Sequence, residues 1–307
     1  MGFSLEEYEV EAAPKRLLAD LRESLTKPQK SIPPKWFYDE VGSKLFEEIT
    51  RLPEYYPTEA ERRILLANAS SIVEQTAPNT LVELGAGISD KTTALIDAMH
   101  DLNGRLPWYV PFDISVDAIL EGGARLEAEY PGINIHGISG DFDHHLGHIG
   151  GEGRRLIALL GGTVGNYTPT PRRELLTTIA STMKPEDSFL LGTDMVKSPE
   201  RLVAAYDDAS GTTAAFNRNV INVIAATLDV RVSADDFDHS ATWNAEEEWI
   251  EIHLVANRPV QFDLDGLDVR IEEGERILTE ISAKFTPERI RNNLADAGLQ
   301  LVDMWTD

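Results

Sequence analysis

Leu81-Val82-Glu83-Leu84-Gly85-Ala86-Gly87-Ile88-Ser89-Asp90-Lys91-Thr92 is the stretch whose reading decides the fold. An apolar run ends in Glu-x-Gly-x-Gly and passes directly into the helical pattern KTTALIDAMHDL (91–102). Glycines at such a junction remove side chains where a ligand must lie against the backbone, and free amides at a helix start favour an anion. A dinucleotide loop would carry a third glycine in G-x-G-x-x-G; that position is Asp90, whose charge would repel a pyrophosphate. The loop therefore suits a ligand without phosphates, and Lys91 can meet a single carboxylate. A plain tight turn is the competing reading.

Outward from this loop, apolar runs recur at Thr80–Leu84, Trp108–Phe112, Ile133–Ile138, Leu156–Leu160 and Phe189–Leu191. They are short, rich in Val, Ile and Leu, and ended by Gly or Asp, as buried parallel strands are. Amphipathic segments such as VDAILEGGARLEAEY (116–130) and RRELLTTIASTMK (172–184) lie between them. Strand and helix in alternation predict a doubly wound α/β sheet. The pattern changes after Asp194. Residues 199–228 read as one long helical stretch, followed by polar–apolar alternation over 249–264 and 276–285. Such alternation indicates an antiparallel sheet with one wet face. A last amphipathic helix begins near Pro287, and LQLVDMWT (299–306) reads as a final strand. The expected division is a core of residues 61–196 plus 286–307 and a second, α+β lobe of residues 1–60 plus 197–285.

The 28 Lys and Arg stand against 52 Asp and Glu in 307 residues, a formal net charge of -24. A surface that negative repels phosphate backbones and anionic lipids, so neither nucleic acid nor a membrane is an expected partner. The lack of cysteine excludes disulfides, thiol catalysis and cysteine-based zinc sites. No basic segment followed by an apolar run opens the chain, and no stretch reaches the roughly 20 apolar residues of a membrane span. A cytoplasmic monomer is the expectation. His144, His145 and His148 have the look of a metal cluster, but HHxxH lacks a carboxylate in helical register and reads as a solvated loop. No metal is expected.

Two further acids sharpen the ligand. Asp113 closes the second strand, where a carboxylate can accept from both hydroxyls of a ribose. Asp141-Phe142 follows the third strand, offering an acceptor for an adenine amino group beside an aromatic ring. Each alone is more often a helix cap or a core aromatic. Three such positions at the carboxyl ends of three successive strands, with Glu83, Gly85, Gly87 and Lys91 in the loop, form an adenosyl site. S-adenosylmethionine is the phosphate-free ligand that fits. After the fourth strand, Gly161-Gly162-Thr163-Val164-Gly165-Asn166 is a small-residue loop placed beside the reactive methyl in such a fold, and Asn166 offers both a donor and an acceptor.

At this point the chain closely resembles the histidine Nα-methyltransferases of ergothioneine biosynthesis. The matching segments are PPKWFYDEVGS (33–43), RLPEYYPT (51–58), VELGAGISDKT (82–92), YVPFDIS (109–115), GDFDHHL (140–146), GGTVGNYTPTPR (161–172), LLGTDMVK (190–197), AYDDASGTTAAFNRNV (205–220) and LTEISAKF (278–285). They cover nearly the whole chain in order. The resemblance implies a class I, Rossmann-like methyltransferase core and a substrate lobe. It implies transfer of methyl groups from S-adenosylmethionine, with S-adenosylhomocysteine as by-product, to free L-histidine and its mono- and dimethyl intermediates, ending at the betaine hercynine. It also implies roles. Asn166 and Tyr206 match residues that hold the substrate carboxylate, and Tyr55, Glu280 and Ser282 match those around the imidazole. Gly161 and Thr163 match the loop facing the amino group, and Tyr38 a tyrosine near it. Glu83, Gly85, Lys91, Asp113, Asp141 and Phe142 match cofactor contacts. Judged singly, Tyr55 and Tyr206 read as core tyrosines and Glu280 as a surface strand residue.

The chain departs from the family pattern at Ile252, where Met is common on the pocket wall, at Ala86, which replaces a frequent Ser, and at Glu59, where Arg is usual. Two other functions compete: methylation of another aromatic amino acid such as tryptophan, and a non-enzymatic adenosylmethionine-binding protein. Glu280 argues against the first, because an indole offers a carboxylate only one donor. The intact substrate set argues against the second.

Overall fold

A computed structural model describes residues 2–8, 12–87 and 91–307. Among these, six parallel strands build the main sheet: β1 (Phe3–Glu7), β2 (Thr80–Leu84), β3 (Trp108–Asp113), β4 (Asn134–Ser139), β5 (Arg155–Leu159) and β6 (Ser188–Leu191), in the spatial order β1-β4-β3-β2-β5-β6. Every residue of β2 and β5 is buried, Thr80, Glu83 and Arg155 included, and apolar residues make up the rest of both strands. The chain lays down β2, β3 and β4 in one direction and then β5 and β6 in the other. The order reverses between β2 and β5, and their carboxyl ends frame the crevice that open α/β sheets use for ligands.

The edge strand β1 was not expected. Residues 1–60 were assigned to the second lobe, yet Phe3 pairs with Ile135 and Glu7 with Ser139 in the main sheet. FSLEE is too short and acidic to announce itself as a strand. Tertiary space fixes it: a Cβ on Gly123 would stand 2.4 Å from the Phe3 ring, so that glycine makes the seat for Phe3.

The helices follow in chain order as α1 (Ala13–Ser24), α2 (Glu40–Ile49), α3 (Tyr56–Thr76), α4 (Thr93–Asn103), α5 (Val116–Glu129), α6 (Phe142–His145), α7 (Pro169–Thr182), α8 (Pro199–Ala204), α9 (Thr212–Leu228) and α10 (Pro287–Asp296). The stretch read as one helix over 199–228 is two. The first ends at Ala204, and Asp208 ties down the start of the second, its carboxylate accepting from the amides of Thr212 and Thr213.

A second core joins α1, α2 and α9 to an antiparallel sheet of β7 (Phe237–Asn244), β8 (Trp249–Ala256) and β11 (Arg276–Ala283), ordered β11-β8-β7, and to the hairpin β9 (Val260–Leu264) and β10 (Leu267–Ile271). Leu17, Leu21, Phe37, Phe216, Val220 and Leu254 meet there. The alternation over 249–264 thus holds two strands, and β7 and β10 were not foreseen. Residues 299–306 are not a strand: Leu299, Leu301 and Met304 pack on the core of the main sheet without a pairing partner. No helix among the described residues is long and apolar enough to cross a membrane.

Candidate active site

The loop after β2 is set by its glycines. Gly85 and Gly87 adopt φ of 70° and 49°, values that favour glycine, and the Gly85 amide donates 2.8 Å to the Phe112 carbonyl. A Cβ on Gly85 would lie 3.6 Å from the Phe142 ring, so the missing side chain opens a gap between the loop and that ring. Asp113 ends β3 beside this loop. Its two oxygens each take one amide, from Gly87 and from Ser115, both at 2.9 Å, which leaves acceptor capacity for hydroxyls. Burial raises the Asp113 carboxyl above its ordinary value, against the pull of those amides. Asp141 lies 3.8 Å from the Arg16 guanidinium, and its backbone amide donates to His145. Glu83 is nearly buried beneath the loop; burial pushes it up to about 7, and the Tyr109 hydroxyl donates to it at 2.5 Å. Asp90, on which the exclusion of a pyrophosphate rested, lies outside the described residues.

The turn after β5 repeats the device. Gly161 and Gly162 have φ of 75° and 70°. The Thr163 hydroxyl spends its proton on the Leu160 carbonyl at 3.0 Å, so only its lone pairs remain for a ligand.

The residues expected on the substrate side lie on β11. Glu280 and Ser282 fall on one face by the two-residue period of a strand. Thr279 is an extra residue: the pairing with β8 steps from Leu278↔His253 to Glu280↔Ile252. This bulge is pinned by the Thr279 hydroxyl, which lies 2.7 Å from Asn217 Oδ1 and 3.0 Å from the Ile252 carbonyl. Bulges re-aim side chains next to active sites, and this one turns Glu280 toward Asn166. Burial pushes the Glu280 carboxyl up to about 7, opposed by the charge of Lys284 and the bond from Asn166. Ile252, buried at 3% exposure, stands across from Glu280 and packs with Tyr206.

Aromatic rings complete this side. Tyr55 meets Tyr206 edge-on at 5.9 Å, while Tyr38 meets Phe46 and Phe216 edge-on at 5.6 Å each. Burial raises the hydroxyls of Tyr55 and Tyr206 above their ordinary value, so both stay neutral phenols.

Several residues in this region were missed by the sequence reading. Lys284, fully buried, lies 2.9 Å from Asp194 and donates to Tyr206 and Ser282. Asp194 also accepts from Tyr56 and Lys197, both at 2.6 Å. The one signal for Lys284 was that the alternation Glu280-x-Ser282 continues to it. Phe46 and Arg16 gave no signal beyond ordinary amphipathic spacing, and Phe216 was visible only as part of the matching segment 205–220. Glu61 bonds Lys91 and the Gly161 amide, and nothing in its helix marks it.

An open parallel α/β sheet with glycine turns after β2 and β5, and with Asp113 and Phe142 beside the first of them, is the frame of a methyltransferase that takes its methyl group from S-adenosylmethionine. Residues 17–307 match the family model described as histidine-specific methyltransferase, SAM-dependent. The chain belongs to that family. It is 49% identical to the histidine N-alpha-methyltransferase of Mycolicibacterium smegmatis, over 100% of this chain and 96% of that one. Its identity to the Mycobacterium tuberculosis histidine N-alpha-methyltransferase is 47%, over 95% of this chain and 91% of that one. Ergothioneine biosynthesis protein 1 of Schizosaccharomyces pombe is 27% identical over 89% of this chain and 37% of its own length.

Proposed function

We propose that this enzyme methylates the α-amino nitrogen of free L-histidine three times, giving the trimethylammonium betaine hercynine, the first step of ergothioneine biosynthesis. The single observation that carries the reading is the convergence of Glu280, Asn166, Tyr206 and Ser282 on one pocket ringed by Tyr38 and Tyr55.

S-adenosylmethionine supplies an electrophilic methyl on a sulfonium and leaves as S-adenosylhomocysteine. Asp113 holds the ribose, Asp141 and Phe142 the adenine, and Gly85, Gly87, Glu83 and Lys91 shape the loop beneath it. Residues 1–60 and 197–285 supply most of the substrate pocket, with β1 as the exception. Asn166 and Tyr206 bind the histidine carboxylate, while Glu280, Ser282 and Tyr55 surround the imidazole and Ile252 closes the wall. Thr163, whose lone pairs are free, and the Tyr38 hydroxyl orient the amine through its N–H groups, and the Gly161 turn leaves room for the methyl groups. The amine must be neutral to attack; burial next to a positive sulfonium lowers its proton affinity, so no dedicated base is needed. Positioning supplies most of the acceleration. The anchors hold the carboxylate and the ring, which the intermediates keep, so methylation proceeds until the nitrogen has no lone pair.

Incubation of the enzyme with labelled S-adenosylmethionine and each of the twenty amino acids, read by mass spectrometry, tests this. Trimethylated histidine is the expected product. A reaction ending at monomethylhistidine, or preference for tryptophan, would overturn the assigned pocket.

A further inference from the structure

Glu61 reaches from α3 into the cleft between the two glycine turns, and none of the roles above uses it. Its Oε2 lies 2.7 Å from Lys91 Nζ, and its Oε1 and Oε2 lie 2.8 and 3.0 Å from the Gly161 amide nitrogen. Its side chain is 14% exposed and that of Lys91 23%. The fold reserves room for this carboxylate. A Cβ on Gly192, just past β6, would stand 2.2 Å from Glu61 Oε1, and Gly192 does not have a positive φ that would otherwise call for glycine. Four element ends thus converge on one carboxylate: α3, the loop before α4, the turn after β5, and the end of β6.

The two charges have a chemical match. A bonded Lys–Glu pair at the glycine loop presents one cation and one anion side by side, and an α-amino acid presents one of each on a single carbon. The methionine end of S-adenosylmethionine is such a zwitterion, and desolvated charges are tolerated only when each keeps a partner. We infer that Glu61 binds the α-ammonium group of the cofactor while Lys91 takes its α-carboxylate, the internal pair opening into two pairs with the ligand. The inference rests on the placement of the cofactor at the glycine loop. Because Glu61 also holds the Gly161 amide, filling of the cofactor's amino-acid subsite is felt at the turn that faces the methyl group.

Calorimetric titration of the full chain with two ligands tests it. S-adenosylhomocysteine carries the amino-acid end, whereas 5′-methylthioadenosine has the same nucleoside without it. Glu61→Gln keeps the volume and an acceptor for the Gly161 amide but removes the charge. The expected result is a loss of about 30-fold in affinity for S-adenosylhomocysteine, the scale of a charged hydrogen bond, with 5′-methylthioadenosine unchanged. Glu61→Asp, which keeps the charge but withdraws it by one methylene, should give a smaller loss with the same selectivity, and serves if the glutamine variant does not fold. Unchanged affinity for S-adenosylhomocysteine, an equal loss of both ligands, or a loss confined to histidine would overturn the inference. Asp113→Ala provides the control on the placement: it should weaken both nucleosides, and if it spares both, the cofactor site itself is misplaced, whatever Glu61 does.

Discussion

The hydroxyls of Tyr206 and Ser282 lie 2.7 Å apart, and both accept from the buried ammonium of Lys284, at 3.0 and 2.8 Å. The third ammonium proton goes to Asp194 at 2.9 Å. An ammonium has three donors and no acceptor, so its capacity is filled. The two hydroxyls then share one bond between themselves, which leaves one O–H to point into the pocket. The pair is therefore a single donor, and in the proposed pocket it calls for an acceptor from the substrate: a carboxylate oxygen or the bare nitrogen of a neutral imidazole.

Asp194→Asn removes the counter-charge from a buried cation. Breaking such a pair typically costs about 3–5 kcal/mol, because the remaining charge is left uncompensated. The double variant Asp194→Asn with Lys284→Met should recover most of that loss. Denaturant unfolding of both variants checks it, and additive destabilisation would show that the two residues are not coupled.

Tyr206→Phe removes one hydroxyl of the pair. Histidine affinity should fall by about tenfold or more, on the scale of a hydrogen bond to a charged group, while cofactor affinity stays. Equal losses for both ligands would mark Tyr206 as a structural residue only.

Glu280 links stability to pH. Its carboxyl stands at about 7 in the folded chain against an ordinary 4.5, so folding binds its proton more tightly. The stability it contributes is full below pH 4.5 and lost as pH rises through 7. Glu280→Gln should therefore unfold at a higher temperature than the parent at pH 8, by the equivalent of about 1–3 kcal/mol, and match it near pH 4. Activity should move the other way. The carboxylate proposed to accept an imidazole N–H forms above pH 7, so kcat/KM for histidine should rise through that range in the parent and stay low in the variant. Full histidine turnover by Glu280→Gln would remove Glu280 from the pocket.

Asp113→Ala deletes the acceptor proposed for the ribose and releases the amides of Gly87 and Ser115. Cofactor binding should weaken by about 2–3 kcal/mol, with histidine affinity little changed. Calorimetry with S-adenosylhomocysteine measures it directly.

The sequence by itself determined what is local. Strand β2 and its glycine loop are contiguous, and the positive φ at Gly85 and Gly87 is written in their lack of side chains. Asp113 and Asp141-Phe142 were legible because each ends a strand whose apolar run is visible. Glu280 and Ser282 share a face by strand period alone, and the family resemblance gave them a role. What the period could not show is the partner of a charge. Glu61 lies 100 residues from Gly161, and Lys284 lies 78 from Tyr206. Their helix and strand patterns read as ordinary solvated faces. Likewise, FSLEE became an edge strand only because Gly123 leaves a seat for Phe3, and Thr279 became a bulge only because Asn217 of α9 receives its hydroxyl. Hydrophobic period records which side of an element is buried; whether a lysine on that side meets water or a carboxylate is decided when distant elements close over it.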